Sequence, residues 1–367
     1  MRLRQAIVAA TLLLSAAAAP AKPASYSDSD FARVRKIDGH VHANVERSDF
    51  LAIAGLDGFG LLSINVDYPD FPPLPLQAHA AEVLQRSNPA RFHFATAFSM
   101  DGFGTPGWTE RTIAQLDKAF AEGAVAVKVW KNIGMVAKDA EGKRVFIDDP
   151  RFDGVMRHLE ERGIPLIAHQ GEPKNCWLPL EQMSTENDRS YFREHPEYYM
   201  YLHPEEPSYE QLMAARDRFV ARHPKLSFVG AHMASLEWDV DVLARFLDTY
   251  PNANVDLAAR MTQVQAQSRE DYAKVRRFFI KYQDRLIYGS DLADNPPRPG
   301  KASEEPSGSD ALKAEADHFW RSDWRYLATD RSQRIEDIHA TVKGLALPRS
   351  VIDKIYFANA QRVFKLN

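Results

Sequence analysis

Cysteine is almost absent. Cys176 stands alone among 367 residues, so no disulfide can form within the chain and stability has to come from the core. Charge of one sign is lacking too: 46 basic and 50 acidic residues are interspersed and leave a net charge of −4. No basic surface is set out for a phosphate backbone, which excludes nucleic acid as the expected partner. Long apolar runs are missing. The run at residues 6–19 falls short of the roughly twenty residues that a permanent membrane helix requires. The first strand-to-helix turn, Asp38-Gly39-His40-Val41-His42-Ala43-Asn44, carries no G-x-G-x-x-G, so the phosphate cradle of a dinucleotide-binding open sheet is not expected there.

What is present is an ordinary globular composition, 45% hydrophobic and 26% charged, enough to bury a large core. Arg2 and Arg4 precede the short apolar run, and Ala19-Pro20-Ala21 follows it, the order of a cleaved secretory signal peptide. Residues 1–21 are therefore expected to be removed, residues 22–35 to form a linker, and residues 36–367 to form one domain. An exported protein, periplasmic or secreted and without stable membrane insertion, is the expectation. No cysteine stands directly after the run, so no lipid anchor is implied.

Beyond residue 35, short apolar runs alternate with helix-period segments. Strands are predicted at 36–42, 60–66, 92–98, 124–130, 164–169, 226–231, 253–258 and 285–290. Helices are predicted near 49–55, 75–87, 109–122, 150–162, 208–223, 235–249 and 266–282. Strand and helix in strict alternation predict an α/β fold, a (β/α)8 TIM barrel. Three stretches break the alternation. Residues 171–207 form a long aromatic and proline-rich insertion after the fifth strand, read as a lid. Residues 291–309 are irregular, and the chain from Asp310 onward reads as extra C-terminal helices packed outside the barrel through Phe357, Val363 and Phe364.

Alternate side chains of a strand share a face, so His40 and His42 are expected to project together into the barrel mouth. An H-x-H pair alone is a weak sign of metal. The fifth strand, however, ends in His169, the sixth in His232 and the eighth in Asp291. Parallel barrel strands all end on the same side, so five ligand-type residues from distant parts of the sequence converge on one rim. Singly, each could be a buried histidine satisfied by backbone or a helix-capping carboxylate. Asn44, Trp130, Lys131, Gln170, Glu172 and Arg260 lie at the same strand ends. Arg260 could fork onto a substrate carboxylate, and Trp130 and Trp177 could form an apolar wall.

The ordered set Asp38-Gly39-His40-Val41-His42, Lys128 within Val125-Ala126-Val127-Lys128-Val129, His169, His232, Tyr288-Gly289-Ser290-Asp291 and Ile355-Tyr356-Phe357-Ala358-Asn359-Ala360 resembles the amidohydrolase superfamily. The likeness is to its branch of aminocarboxymuconate semialdehyde decarboxylase-like and related metal-dependent hydrolases, and it spans about residues 36 to 366. The resemblance implies that His40, His42, His169 and Asp291 hold a divalent metal. Nitrogen and carboxylate donors suit Zn²⁺, one per chain, and are compatible with Mn²⁺ or Fe²⁺. Asp291 would serve as general base, while His232 would orient water or stabilise charge on a substrate oxygen. Lys128 is carboxylated in some members and bridges two metals, with His232 on the second. Otherwise it would bind an anionic substrate or pair with a carboxylate such as Glu172. The 171–207 insertion departs from the family pattern.

Three activities follow. Hydrolysis of a small amide, ester or lactone comes first, with Arg260, Trp130, Glu172, Trp177 and Asn44 as candidate substrate contacts. The alternative is non-oxidative decarboxylation of an unsaturated or aromatic acid. A third is an exported binding protein that has lost catalysis, disfavoured by the full set of rim residues. The partner is in each case a small molecule, and a homo-oligomer is left open.

Overall fold

The computed structural model describes residues 24–69, 71–296 and 309–366. The expected signal segment 1–21 lies outside the described residues, as does the part of the irregular stretch from 297 to 308. Among the described residues no helix is long and apolar enough to cross a membrane.

All eight predicted strands are present, shorter than predicted at several ends: β1 (Lys36–Ala43), β2 (Phe59–Ile64), β3 (Phe92–Ala97), β4 (Ala126–Val129), β5 (Leu166–Ala168), β6 (Phe228–Gly230), β7 (Ala253–Asp256) and β8 (Leu286–Ile287). A ninth, β9 (Ala293–Asp294), follows β8 within the stretch that reads as irregular. The sheet order is β8-β7-β6-β5-β4-β3-β2-β1-β9, every ladder parallel. Because β9 follows β8 and pairs with β1, the sheet curls round on itself. Gly39 N donates to Tyr288 O at 2.9 Å, Asp291 N to His40 O at 2.8 Å and His42 N to Leu292 O at 2.8 Å, and these bonds close the barrel.

Two glycines permit that seam. A Cβ on Gly39 would fall 2.8 Å from Ile287 Cγ2 and 3.0 Å from Tyr288 O, and one on Gly289 would fall 2.8 Å from His40 Cβ. Side chains from most strands fill the interior as one cluster: Ile37, Leu62, Ile64, Ala95, Ala126, Ile167, Val229 and Ile287. Ala360, Val363 and Phe364 of the last helix and Leu366 beyond it join this cluster; Val363 and Phe364 are expected from the sequence to make core contacts, but outside the barrel and not with its inner cluster. Outside the strands, helices bury a second, larger cluster.

Several expectations need correction. Residues 24–35 are docked rather than a linker: Asp28–Arg33 forms a 3-10 helix, Phe31 is buried, and Trp324 Nε1 donates to Ser27 O at 3.0 Å. The expected helix 235–249 begins only at Val240, where Asp239 accepts from Asp241 N. The expected helix 266–282 is two helices, Met261–Glu270 and Tyr272–Lys281, because Asp271 caps the second by accepting from Lys274 N at 2.8 Å. The C-terminal region is not all helix: after the helix Ser309–Ala328, β10 (Ser332–Ile335) and β11 (Ala340–Lys343) form an antiparallel hairpin. The insertion is built from short 3-10 turns and the helix Glu186–Glu194 around a small core of Cys176, Met183, Phe192 and Tyr199.

Gly39→Ala should destabilise the chain by about 1–3 kcal/mol through overpacking at the seam. Urea unfolding checks it, and an unchanged midpoint would show that the seam has slack.

Candidate metal centre

The site begins with an irregularity in β1. The β1–β2 register pairs Asp38 with Leu61 but Val41 with Ser63, so β1 carries one extra residue between Asp38 and Val41. Such a bulge reverses the facing of everything beyond it. Below it Ile37 joins the inner cluster; above it Val41 and Ala43 face the outer core, which leaves His40 and His42 inside. Asp38 points the other way. It accepts from Ser290 Oγ at 2.5 Å, Ser290 N at 3.0 Å, Trp320 Nε1 at 2.8 Å and His40 N at 3.2 Å. Burial pushes its pKa up to about 6, against the pull of those donors. Asp38 thus ties β1 to the residue before Asp291.

Three imidazoles are locked in one tautomer. His40 Nδ1 lies 2.8 Å from Asp256 Oδ2, His42 Nδ1 lies 2.7 Å from Ile64 O, and His232 Nδ1 lies 3.0 Å from Ala258 O. Carbonyls only accept, as does an ionised Asp256, so each Nδ1 carries its proton outward and each Nε2 is left with a bare lone pair. Burial holds the pKa of His40 down, lowers that of His232 to about 3 and puts that of His169 well below the usual range, so these rings are neutral. The pKa of Asp291 lies well below the usual carboxylate range: burial pushes it up, but positive charge gained by His232, His40 or His42 pulls it down further, so the protons of this cluster leave the carboxyl ionised.

These atoms converge. Asp291 Oδ1 is 3.3 Å from His40 Nε2 and 3.2 Å from His42 Nε2, and one ligand atom each of His40, His232 and Asp291 lie within 4.8 Å of one another. The His169 ring stands 4.2 Å from that of His232, and its Nε2 is buried with no hydrogen-bond partner. Lone pairs facing a carboxylate repel unless a cation sits among them. The residues present therefore fit a divalent metal, with the outward Nδ1–H bonds as the supports that metal-binding histidines require. Lys128 Nζ lies 3.4 Å from His40 Nε2, and burial lowers its pKa to about 8.

The cavity above, ≈ 220 Å³, is lined by His40, His42, His169, His232, Asp291, Lys128, Lys131, Trp130 and the aromatic pair Tyr68 and Phe71. Tyr68 packs against Trp130 with ring centres 4.6 Å apart and against Phe71 at 5.3 Å. Not every expected contact is here. Trp177 packs on Tyr209 at 5.6 Å and donates to Pro207 O, so it braces the insertion instead of walling the cavity. Asn44 Nδ2 donates to Asn295 Oδ1 at 2.7 Å, while its Oδ1 is buried without a partner and the residue does not line the cavity. Glu172 pairs with Lys131, not with Lys128. Arg260 is buried, leaves Nε without a partner, and adds positive charge beside His169, His232 and Glu237. Sequence reasoning missed Asp256, Tyr68 and Phe71. Asp256, a carboxylate within the seventh predicted strand and the last residue of β7, was the legible signal.

The backbone here is strained. His232, Met233, Ala234 and Ser235 all have φ between 55° and 56°, and Asp291 and Ala259 are also left-handed at 72° and 52°. Each such non-glycine residue costs roughly 1–2 kcal/mol, and strain of this kind gathers at functional sites.

A family model described as amidohydrolase matches residues 37–366. The chain belongs to the amidohydrolase family. It is accordingly an enzyme of the amidohydrolase superfamily, of hydrolase or decarboxylase type. No curated protein matches the chain. Among solved structures it is similar to 2,6-dihydroxybenzoate decarboxylase from Rhizobium, with 14% identity, TM-score 0.52, and 91% of this chain and 99% of the other covered. A 2,6-dihydroxybenzoate decarboxylase complexed with 2,6-dihydroxybenzoate gives 15% identity and TM-score 0.51 over 87% and 88% of the two chains. An uncharacterised TIM-barrel protein from Bordetella bronchiseptica gives 13% and 0.50 over 91% and 99%. At these identities the likeness is one of fold, and the fold is the predicted barrel.

Ala259 is exposed, so Ala259→Gly relieves its left-handed strain and loses little packing. The expected gain is about 0.5–1 kcal/mol after glycine's entropy cost, read by urea unfolding; a loss would contradict it. A pH effect follows from His232. Unfolded, the ring takes a proton near 6.5; folded, only near 3. The unfolded state therefore binds more protons between those values, and the contribution of His232 is complete above pH 6.5 and lost as pH falls. In metal-free protein, the stability difference between the native chain and His232→Gln should shift by up to about 1.4 kcal/mol per pH unit below 6.5, and a pH-independent difference would refute this.

Proposed function

We propose that this chain is a metal-dependent hydrolase acting on a small amide, ester or lactone. The carrying observation is the set of inward Nε2 lone pairs around Asp291, a carboxylate whose side chain is 31% exposed to the cavity while His40 and His42 are 1% and 8% exposed. His40, His42, His169 and Asp291 would hold one Zn²⁺, with His232 close enough to join them. A divalent cation there supplies Lewis-acid polarisation of a substrate oxygen and acidifies water.

The remaining work falls to the chain itself. Asp291 is ionised and open, so it accepts the proton of the attacking water and returns it to the leaving group. His232 has its only proton committed to Ala258 O, so its Nε2 accepts a hydrogen bond and orients water; it does not donate to an oxyanion. Positive charge toward the substrate oxygen comes from the ammonium groups of Lys128 and Lys131. Tyr68, Phe71 and Trp130 close one side and exclude water from the reacting bond.

A second reading, decarboxylation of an unsaturated or aromatic acid, is favoured by that aromatic wall beside two lysines. The assay separates them: proton release with a new acid, alcohol or amine supports hydrolysis, and carbon dioxide release supports decarboxylation. A panel of lactones, esters, amides and aromatic acids on the zinc-loaded enzyme tests both, and turnover of none of them would overturn the proposal. We also propose export, tested by the N-terminus of the protein recovered from periplasm or medium.

Elemental analysis should give one metal per chain. Asp256→Asn, which weakens the support of His40, should lower metal affinity about 10–100-fold, measured by competition with a chelator, and undiminished affinity would count against His40 as a ligand.

A further inference from the structure

His232 sits at the head of a left-handed turn that four consecutive non-glycine residues would not adopt unaided. Something outside the turn must hold it. At its start Asp256 Oδ1 accepts from His232 N at 2.7 Å, and within it Ser235 N donates to His232 O at 3.0 Å and Leu236 N to Met233 O at 3.1 Å. A carbonyl at the end of such a turn cannot be met by a continuing right-handed helix, so Ala234 O and Ser235 O need donors from elsewhere.

Both donors come from one helix, Tyr209–Arg222. Arg216 Nη1 donates to Ala234 O, and Tyr209 Oη donates to Ser235 O. The two residues are seven apart, two helical turns, and so share a face. Arg216 is 2% exposed, lies over the Phe246 ring at 4.4 Å and, among the described residues, has one carboxylate partner, Asp217, which is 41% exposed. Burying a guanidinium on so little ionic compensation is costly, and its buried end is spent on the turn. Ser235 Oγ adds a bond to Gln170 O at 2.8 Å, beside His169.

We infer that Arg216 and Tyr209 are positioning residues that clamp the left-handed turn and thereby fix the aim of His232 into the cavity. Neither lines the cavity. The inference rests on the reading that His232 faces the reacting atoms. It also gives the insertion a connection to the chemistry, because Trp177 packs edge-on against Tyr209, whose hydroxyl also accepts from Trp238 Nε1 at 2.8 Å.

The test is histidine-selective ¹⁵N NMR of the metal-free full chain, which reads the tautomer of each ring and needs neither substrate nor metal. Native protein should show His232 as the Nδ1–H form. Arg216→Lys and Tyr209→Phe should fold and lose that single pattern at His232, Arg216→Lys the more, while His42, anchored on Ile64 O, keeps it. Asp217→Asn, which leaves both clamping bonds in place, should keep it too. Should Arg216→Lys fail to fold, Tyr209→Phe alone decides. An unchanged His232 pattern in folded variants, with only a lowered unfolding midpoint, would reduce both residues to core packing. Because the readout is independent of turnover, its failure is distinct from failure of the hydrolase assay.

Discussion

The seam where β1 meets the chain leaving β8 is the constraint on which the rest depends. Barrel closure brings residues 38–42 and 288–294 together, and only glycine at 39 and 289 lets the two backbones come so close. Asp38, buried in that seam, accepts from both sides and fixes Ser290 next to Asp291. The bulge in β1 then separates the roles within one short motif: the carboxylate faces outward to hold the seam, and the two imidazoles face inward. Folding and site assembly are the same event here.

From that seam the electrostatics follow. Burial makes His40, His169 and His232 neutral, and outward acceptors fix a proton on Nδ1 of His40, His42 and His232. What remains inside is a set of lone pairs and one carboxylate, with Lys128 against His40 and the positive charges of Lys131 and Arg260 beside His169. A protein would not bury such a set for stability, since desolvated acceptors left facing one another are unfavourable. Left-handed backbone points the same way: among the described residues, six of the nine left-handed non-glycine residues, 232–235, 259 and 291, lie at the rim.

Much of this could be read from residues alone. Strand-end placement found the four histidines and Asp291, since period-two patterning and alternation with helices are set by local sequence. Less was legible where long-range contacts override local preference. Ala231 ends the sixth predicted strand and Ser235 opens the next predicted helix, yet distant Arg216, Tyr209 and Asp256 hold residues 232–235 in a left-handed turn. The bulge leaves no mark in composition. Tyr68 and Phe71 lie among prolines and read as a loop, and Trp177 reads as a pocket residue although it supports the insertion. The hairpin of β10 and β11 escaped notice because its alternate positions are exposed and polar.

The central claim is that imidazoles and a carboxylate brought together by barrel closure grip a divalent cation. Anomalous diffraction at the zinc edge from crystals of the purified enzyme tests it most directly. The account predicts one peak bounded by Nε2 of His40, His42 and His169 and by the Asp291 carboxylate. A zinc-soaked crystal with no peak there, and those rings still in place, would contradict it.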